Sequence, residues 1–345
     1  MFVEIDGSEG EGGGQMLRSA LALAILTKRA VKIVNIRANR GNPGLRAQHL
    51  ACVRAAAAIS NGDYKGGQIG SSVVVFEPGA VKGGNYTFSV GTAGATALVL
   101  HTVYLPLALR GETDSTVTIT GGTHNTAAPC FEYLQTTWAG WMKQIGLPVE
   151  LSLTRPGFYP RGGGEIVAKI PAVKSITNVQ AVGDRALTTA TGFVGNAGLP
   201  ESVSKTIARR MKVKLNAMGL ESDIVTQTWN NGPAVVAGVR FPQYTVPPMF
   251  IGLGEKGKPS EQVADDLMGE VEAFFNSGAP VDPHAADQLV LPLAFSTGES
   301  QFRVSEVTQH LLTNVDIIGR FVDREITIEG DRGRPGLVRV SATVA

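Results

Sequence analysis

The chain has only two cysteines in 345 residues, Cys52 and Cys130. They lack the paired spacing of zinc or redox motifs and cannot make a disulfide framework, so the reading is of a reduced, cytoplasmic protein. The N-terminus runs straight into a strand-like Phe2-Val3-Glu4-Ile5 with no basic and apolar leader, which agrees with that expectation. The most apolar stretch, Ala95 to Leu109, is interrupted by His101 and Pro106. It is shorter than the roughly 20 residues that span a bilayer, so no membrane segment is expected. Aromatic residues are 6% of the chain and form no rich stacking platform for bases. The net charge of +1 denies the chain a general basic field, so any polyanion must be met by a local cluster of arginines. Several catalytic signatures are missing as well. No Lys-Ser or Lys-Thr follows Gly12-Gly13-Gly14, which excludes a Walker loop, and no dinucleotide fingerprint is present. The five histidines include no i, i+4 pair of the zincin kind, and there is no Gly-x-Ser-x-Gly elbow.

Glycine is abundant, with 42 residues, while the apolar fraction (43%) and charged fraction (18%) are ordinary, which describes a compact globular protein with many tight turns. The length favours two domains, one of which can be inserted in the other. Three segments share a plan of apolar helix, strand, polar or small-residue loop and second helix. The first contains Ser19 to Leu26, Val31 to Ile36 and Arg37 to Ala58. The second contains Leu98 to Leu109, Thr116 to Thr120 and a helix after Pro129. The third contains Leu289 to Phe295, Phe302 to Val307 and the helix of His310. The step between strands is roughly 85 residues and then roughly 185, so about 100 extra residues separate the last two copies. The region from Gly183 to Asn276 supplies them. It reads as strand Ala186 to Phe193, helix Glu201 to Ala217, strands Glu221 to Thr228 and Ala234 to Arg240, apolar run Met249 to Leu253, and helix Ser260 to Phe275. Pro200 and Pro259 suit the helix starts. The expectation is a three-repeat α/β (α+β) body, residues 1–182 and 277–345, with an α/β insert at 183–276.

His310 is the most informative position, because a strand giving way to a helix holds a side chain rigidly at an exposed edge. Gly12-Gly13-Gly14 precedes a helical run, Gln15 to Leu26, so its N–H groups can face an anion, or it can be a plain structural turn. Glu11 and Arg18 favour the anion: a carboxylate beside such a loop suits Mg²⁺ or Mn²⁺ bridging phosphates. Arg37, Arg40 and Arg46 lie in one loop; Arg37 and Arg40 directly follow a buried-type strand at the end where α/β proteins place ligands, and guanidinium forks match phosphate oxygens. Gln48 and His49 begin the next helix. A second glycine loop, Tyr159 to Glu165, reads as a structural turn with Arg161 as a phosphate-contact candidate. His124 reads as a hydrogen-bonded structural histidine. Together these features suggest nucleotidyl transfer.

The motifs Asp6-Gly-Ser-Glu-Gly-Glu-Gly-Gly-Gly-Gln15-x-Leu-Arg18, Ile36 to His49, Gly121-Gly-Thr, Gly157-Phe-Tyr-Pro-x-Gly-Gly-Gly164, Ala286-Asp-Gln-Leu-Val-Leu-Pro292 and His310-Leu-Leu-Thr-Asn314 resemble the RNA 3′-terminal phosphate cyclase family. The likeness spans nearly the whole chain and is weakest in the insert. It implies three copies of a βαβαββ-type unit similar to the C-terminal domain of translation initiation factor three, with a thioredoxin-like insert. It also implies that ATP adenylates a histidine, that AMP passes to an RNA 3′-phosphate, and that the neighbouring 2′-hydroxyl closes a 2′,3′-cyclic phosphate. On this resemblance His310 is the nucleophile and Glu11 the metal-proximal carboxylate. Arg18, Arg37, Arg40, Gln48 and His49 belong to the cleft that meets phosphate and RNA. His101, His284, Ala285, Ala286, Asp287 and Gln288 belong to the ATP pocket. Two positions depart from the family pattern, His101 standing where glutamine is familiar and His284 where tyrosine is common; imidazole can still stack or hydrogen-bond there. Two other classes compete: a noncatalytic relative that binds in ribosome assembly, which lacks the nucleophilic histidine, and an enolpyruvyl transferase, which has more repeats. A homodimer is compatible with the sequence, which leaves the oligomeric state open.

Overall fold

The computed structural model describes residues 2–183 and 186–342. Residues 1 and 343–345, expected in the body, and 184–185, expected at the start of the insert, lie outside the described residues.

Strands β1 (Val3–Asp6) and β2 (Val31–Val34) pair in parallel and are connected by helix α1 (Gly14–Thr27). Helix α2 (Ala47–Ser60) leads into β3 (Asp63–Lys65) and β4 (Val74–Glu77), and β4 lies antiparallel to β2, so the sheet order is β1-β2-β4-β3. The next sheet takes the same order. Strand β5 (Asn85–Ser89), helix α3 (Thr96–Arg110) and β6 (Ser115–Gly121) form its parallel half. A helical stretch follows, α4 (Phe131–Tyr133), a π-helical turn (Leu134–Trp138) and α5 (Ala139–Gln144). Then β7 (Glu150–Arg155) and β8 (Gly164–Ile170) complete the order β5-β6-β8-β7.

A two-residue strand, β9 (Gln180–Ala181), precedes a different sheet. This consists of β10 (Thr189–Ala197), β11 (Glu221–Thr228), β12 (Ala234–Arg240) and β13 (Met249–Leu253) in the order β11-β10-β12-β13, with helices α6 (Glu201–Ala217) and α7 (Ser260–Ser277). The chain then returns through α8 (Pro283–Leu293), β14 (Ser300–Val304), α9 (Gln309–Phe321), β15 (Ile326–Glu329) and β16 (Gly336–Val340). Here β9 pairs in parallel with β14 although all of β10 to α7 lies between them in sequence, and the order is β15-β16-β14-β9. Three sheets thus share one arrangement: a parallel pair, then a hairpin whose last strand lies against the second strand. The protein is of mixed α/β class.

Expected and observed elements differ where the apolar pattern continues past the backbone pairing. The first strand of the 183–276 region is displaced to Thr189–Ala197, and β14 stops at Val304, leaving Ser305–Val307 as a connector before Thr308 caps α9. Strand β9 is too short to carry a periodic signal.

Helix α1 is buried from Met16 to Leu26 apart from the half-buried Arg18, and packs against α2, α3 and α9, which is why its sequence is apolar all round rather than amphipathic. One apolar cluster joins the three alike sheets, and a second lies within β10 to α7, built on residues such as Ile207, Met211, Val239 and Phe274. Phe193, Val236 and Met249 belong to the larger cluster and tie the two together. Both cysteines are buried thiols. Phe302, fully buried in β14, anchors the strand that delivers His310. Phe302→Ala should lower stability by about 3–5 kcal/mol; an unchanged denaturation midpoint would contradict this packing.

Candidate active site

Helices α1, α8 and α9 direct their first turns toward one cleft, the mouth of a cavity of about 750 Å³. Gly13 caps α1 without a side chain, and Gly12 has a φ of +61°, where an L side chain is strained. A Cβ at Gly13 would collide with Glu11 Oε1 and Arg40 Nη2, and one at Gly14 would collide with His49 Nε2. The glycine run therefore lets the side chains of Glu11, Arg40 and His49 approach the backbone. Helix α8 starts at Pro283, with buried Asp282 accepting from the N–H groups of His284 (3.1 Å) and Ala285 (3.0 Å). Thr308 caps α9 by accepting from Leu311 N–H at 3.1 Å, which puts His310 at the second position of that helix.

The side chain of His310 is 52% exposed, and its Nδ1 lies 2.5 Å from Gln15 Oε1. The Gln15 amide is oriented by its other end, where Nε2 donates to Asp287 Oδ2 at 3.0 Å. An acceptor at Gln15 Oε1 requires a proton on Nδ1, so the Nε2 lone pair is free at the cleft. Glu11 Oε2 also lies 2.8 Å from Nδ1, yet it has no hydrogen bond of its own among the described residues. We assign the directed bond to Gln15 and treat Glu11 as a close anionic charge. Glu11, first by its direct contact with the ring and then by its charge, raises the His310 pKa above its ordinary value with help from Asp287, against burial and Arg18, which lower it. Glu11 itself is held below the usual carboxylate range: burial opposes ionisation, but His310, Arg40 and Arg18 together prevail. Asp287 is pushed up to about 6 by burial, partly offset by His284, His310 and Arg18. Although the Asp287 residue as a whole is half-buried, its Oδ1 is out of contact with solvent and unpartnered among the described residues.

Four more expected residues supply cationic or hydrogen-bonding groups. Arg18 has no hydrogen bond or ion pair from its guanidinium among the described residues, and burial lowers its pKa without removing its charge. Arg40 Nη2 stands 3.5 Å from Glu11 Oε2. His49 is buried, its Nδ1 accepts from Arg46 N–H at 3.2 Å, and burial with Arg18, Arg37 and Arg46 drives its pKa down to about 3. It is a neutral imidazole with its proton on Nε2. Gln48 Oε1 accepts from Ala95 N–H at 3.2 Å. Arg37 lines the cavity but is tied back to its own loop, Nη1 donating to Asn42 O (2.6 Å) and Gly44 O (2.9 Å). Arg46 does not line the cavity.

Of the expected pocket residues, His101, His284, Asp287 and Gln288 line the cavity, whereas Ala285 and Ala286 point into the core. Helical periodicity explains the split, since 284, 287 and 288 share one face of α8 and 285 and 286 take the other. His101 packs beside Trp138 (4.9 Å between ring centres), and burial with Arg18 drives its pKa down to about 3. His284 is exposed and stands edge-on to Tyr133. His124 is structural as expected, bonded to Thr123 Oγ1 and Glu132 Oε2.

Sequence reading gave no role to Gln15 or Asn314, although both stand in the quoted motifs. Asn314 donates to Asp287 O (2.5 Å) and accepts from Ser19 Oγ (2.6 Å), locking α9 to α8 and α1. Its spacing of four from His310 is the one signal that could have marked it. The 183–276 region, from which no site residue was expected, also reaches the cleft: Phe250, Lys258 and Glu270 form part of the cavity wall. No cluster of three or more His, Cys, Asp or Glu side chains able to hold a metal occurs among the described residues.

Fold and site together define a mixed α/β protein with a histidine-centred cleft set among arginines and carboxylates. The family follows from comparison: a model described as RNA 3′-terminal phosphate cyclase matches residues 9–328. The chain is 40% identical to the RNA 3′-terminal phosphate cyclase of Ectopseudomonas mendocina, covering 94% of each chain. It is 37% identical to that of Pyrobaculum aerophilum over 97% of each, and 39% identical to that of Methylococcus capsulatus over 100% of this chain and 98% of the other. The chain belongs to the RNA 3′-terminal phosphate cyclase family, a family of enzymes.

The geometry sets a titration test that is independent of activity. In an NMR titration, the His310 ring should titrate above the ordinary histidine value, and Glu11→Gln should move its midpoint down, because a neutral amide no longer favours the imidazolium. A midpoint that does not move would remove Glu11 as the source of the shift.

Proposed function

We propose that this protein converts an RNA 3′-terminal phosphate to a 2′,3′-cyclic phosphodiester, with ATP as co-substrate and His310 as the covalent carrier of AMP. The observation that carries this reading is the Asp287–Gln15–His310 chain of hydrogen bonds, which holds a proton on Nδ1 and leaves Nε2 with its lone pair at a nucleotide-sized cavity.

In the first step Nε2 attacks the α-phosphorus of ATP, an Nε2–P bond forms, and the P–O bond to pyrophosphate breaks. The ring becomes an imidazolium whose Nδ1 keeps its proton and donates it to the Gln15 oxygen, and the nearby Glu11 carboxylate stabilises the positive charge. In the second step an oxygen of the RNA 3′-phosphate attacks the same phosphorus and the imidazole leaves. In the third the 2′-hydroxyl attacks the 3′-phosphorus, loses its proton and expels AMP. That attack is intramolecular, so proximity supplies much of its rate.

Arg18 and Arg40 are the cations placed to meet phosphate oxygens; Arg37 orders the loop that carries Arg40. Glu11 suits Mg²⁺ or Mn²⁺, because Oε2 is buried, held ionised and without a hydrogen-bond partner among the described residues. A lone carboxylate is enough when the remaining ligands are triphosphate oxygens and water. Bound there, such a cation would neutralise charge on the leaving pyrophosphate. His101, His284, Asp287 and Gln288 then form the nucleotide side of the cavity.

We read the three alike sheets as copies of one βαβαββ unit, similar to the C-terminal domain of translation initiation factor three. On that reading residues 1–182 and 277–345 form the catalytic body, and 183–276 form a thioredoxin-like insert between the first strand and first helix of the last copy. The shared strand order supports this division. A cytoplasmic location suits such an enzyme, and no helix among the described residues is long and apolar enough to cross a membrane.

Incubation with α-labelled ATP tests the proposal. The protein should retain labelled AMP and cyclise 3′-phosphate RNA, and His310→Ala should abolish both. Arg40→Ala should reduce cyclisation by roughly tenfold or more, the scale of a lost charge-assisted bond to phosphate. Labelling of His310→Ala at the wild-type level would overturn the assignment.

A further inference from the structure

The second glycine loop is unexplained by the chemistry above, and it is built to present two side chains. Its base is fixed. Thr123 N–H (2.9 Å) and His124 N–H (3.2 Å) both donate to Gly157 O, and Gly157 N–H donates to Thr123 Oγ1 at 2.9 Å. Phe158 is 7% exposed, with its ring against His124 (5.1 Å) and Trp229 (6.2 Å). The turn closes where Gly162 N–H donates to Phe158 O at 2.7 Å. Gly162, at a φ of +67°, packs so close to Ala93 that a Cβ there would lie 2.8 Å from the Ala93 Cα. Asn231 Nδ2 donates to Pro156 O at 2.6 Å, tying the loop to the β10–β13 sheet region as well.

Between these anchors the tip stands in solvent. Tyr159 is 81% exposed, the highest among the exposed large hydrophobic residues, and Arg161 is exposed with no hydrogen bond or ion pair among the described residues. The loop lies beside the cleft, since Asn125 to Cys130, which line the cavity, continue directly from the Thr123-His124 pair that it grips. A net charge of +1 provides no general attraction for RNA, so contact beyond the terminal phosphate depends on local groups of this kind. An aromatic ring and a free guanidinium on a rigid tip match a base and a backbone phosphate.

We propose that Tyr159 and Arg161 form a subsite for the RNA strand upstream of its 3′ end, Tyr159 stacking on a base and Arg161 meeting a phosphodiester. The inference rests on the RNA-end reading for its ligand but does not need the histidine chemistry. It makes the tip a determinant of affinity for strands over mononucleotides, without preference for base identity.

Binding is measured without ATP, by fluorescence anisotropy of a labelled ten-nucleotide RNA bearing a 3′-phosphate. Tyr159→Ala should raise Kd on the order of tenfold, and Tyr159→Phe should restore it. Arg161→Ala should weaken binding and reduce the slope of log K against log salt by about one. Competition by a nucleoside 3′-monophosphate should be unaffected in all three variants, and AMP labelling should stay at the wild-type level. A wild-type Kd in Tyr159→Ala, or an equal loss for the mononucleotide, would overturn the subsite. Loss of AMP labelling alone in the unsubstituted protein would instead count against the proposed reaction and leave this binding result standing.

Discussion

One directed chain of hydrogen bonds sets the tautomer of His310, the proposed nucleophile, and much of the fold can be read as holding the three residues of that chain together. Asp287 accepts from Gln15, and Gln15 accepts from His310. These residues come from α8, α1 and α9, elements far apart in sequence. Asn314 fastens the same three helices by accepting from Ser19 and donating to the Asp287 carbonyl. The chain has a polarity: a carboxylate can only accept when ionised, so it orients the amide, and the amide then dictates which imidazole nitrogen carries the proton. Burial of α1 on all sides gives this relay a rigid support.

The same cleft separates histidines by their surroundings. Burial beside arginines makes His49 and His101 neutral, each with a pKa near 3, so their rings serve as hydrogen-bonding groups. His310 has Glu11 and Asp287 for neighbours and is displaced upward. In the proposed reaction the ring becomes positive when it takes up a phosphoryl group, which acidic neighbours suit, while neutral rings nearby avoid competing for the same negative charge. The opposition of displacements marks His310 more sharply than its position on the helix does.

Much of this was legible in the sequence, for physical reasons. The helices of the 183–276 region were readable because their apolar residues recur with helical period behind a proline start, and the run Gln15 to Leu26 because it is continuously apolar. Motif spacing brought Glu11, Arg18, Arg40 and His310 to one place because each lies at the start of a helix or in the loop that precedes it. The rest depended on three-dimensional packing. Ala285 and Ala286 share a motif with Asp287 yet face the core. Arg37 reads as a phosphate ligand, and only the folded loop shows that its Nη1 is engaged by the Asn42 and Gly44 carbonyls. Gln15 gains its importance only from partners 272 and 295 residues away, which no local pattern encodes.

The proposed reaction turns on a bond between phosphorus and one particular nitrogen. After reaction with ATP, the protein can be digested under mildly alkaline conditions and the adenylated peptide mapped by mass spectrometry, with NMR of the isolated peptide locating the linkage. AMP should be found on Nε2 of His310, through a phosphorus–nitrogen bond that survives alkali and breaks in acid as the protonated imidazole leaves. AMP on a lysine, on another histidine or on Nδ1 of His310 would contradict it.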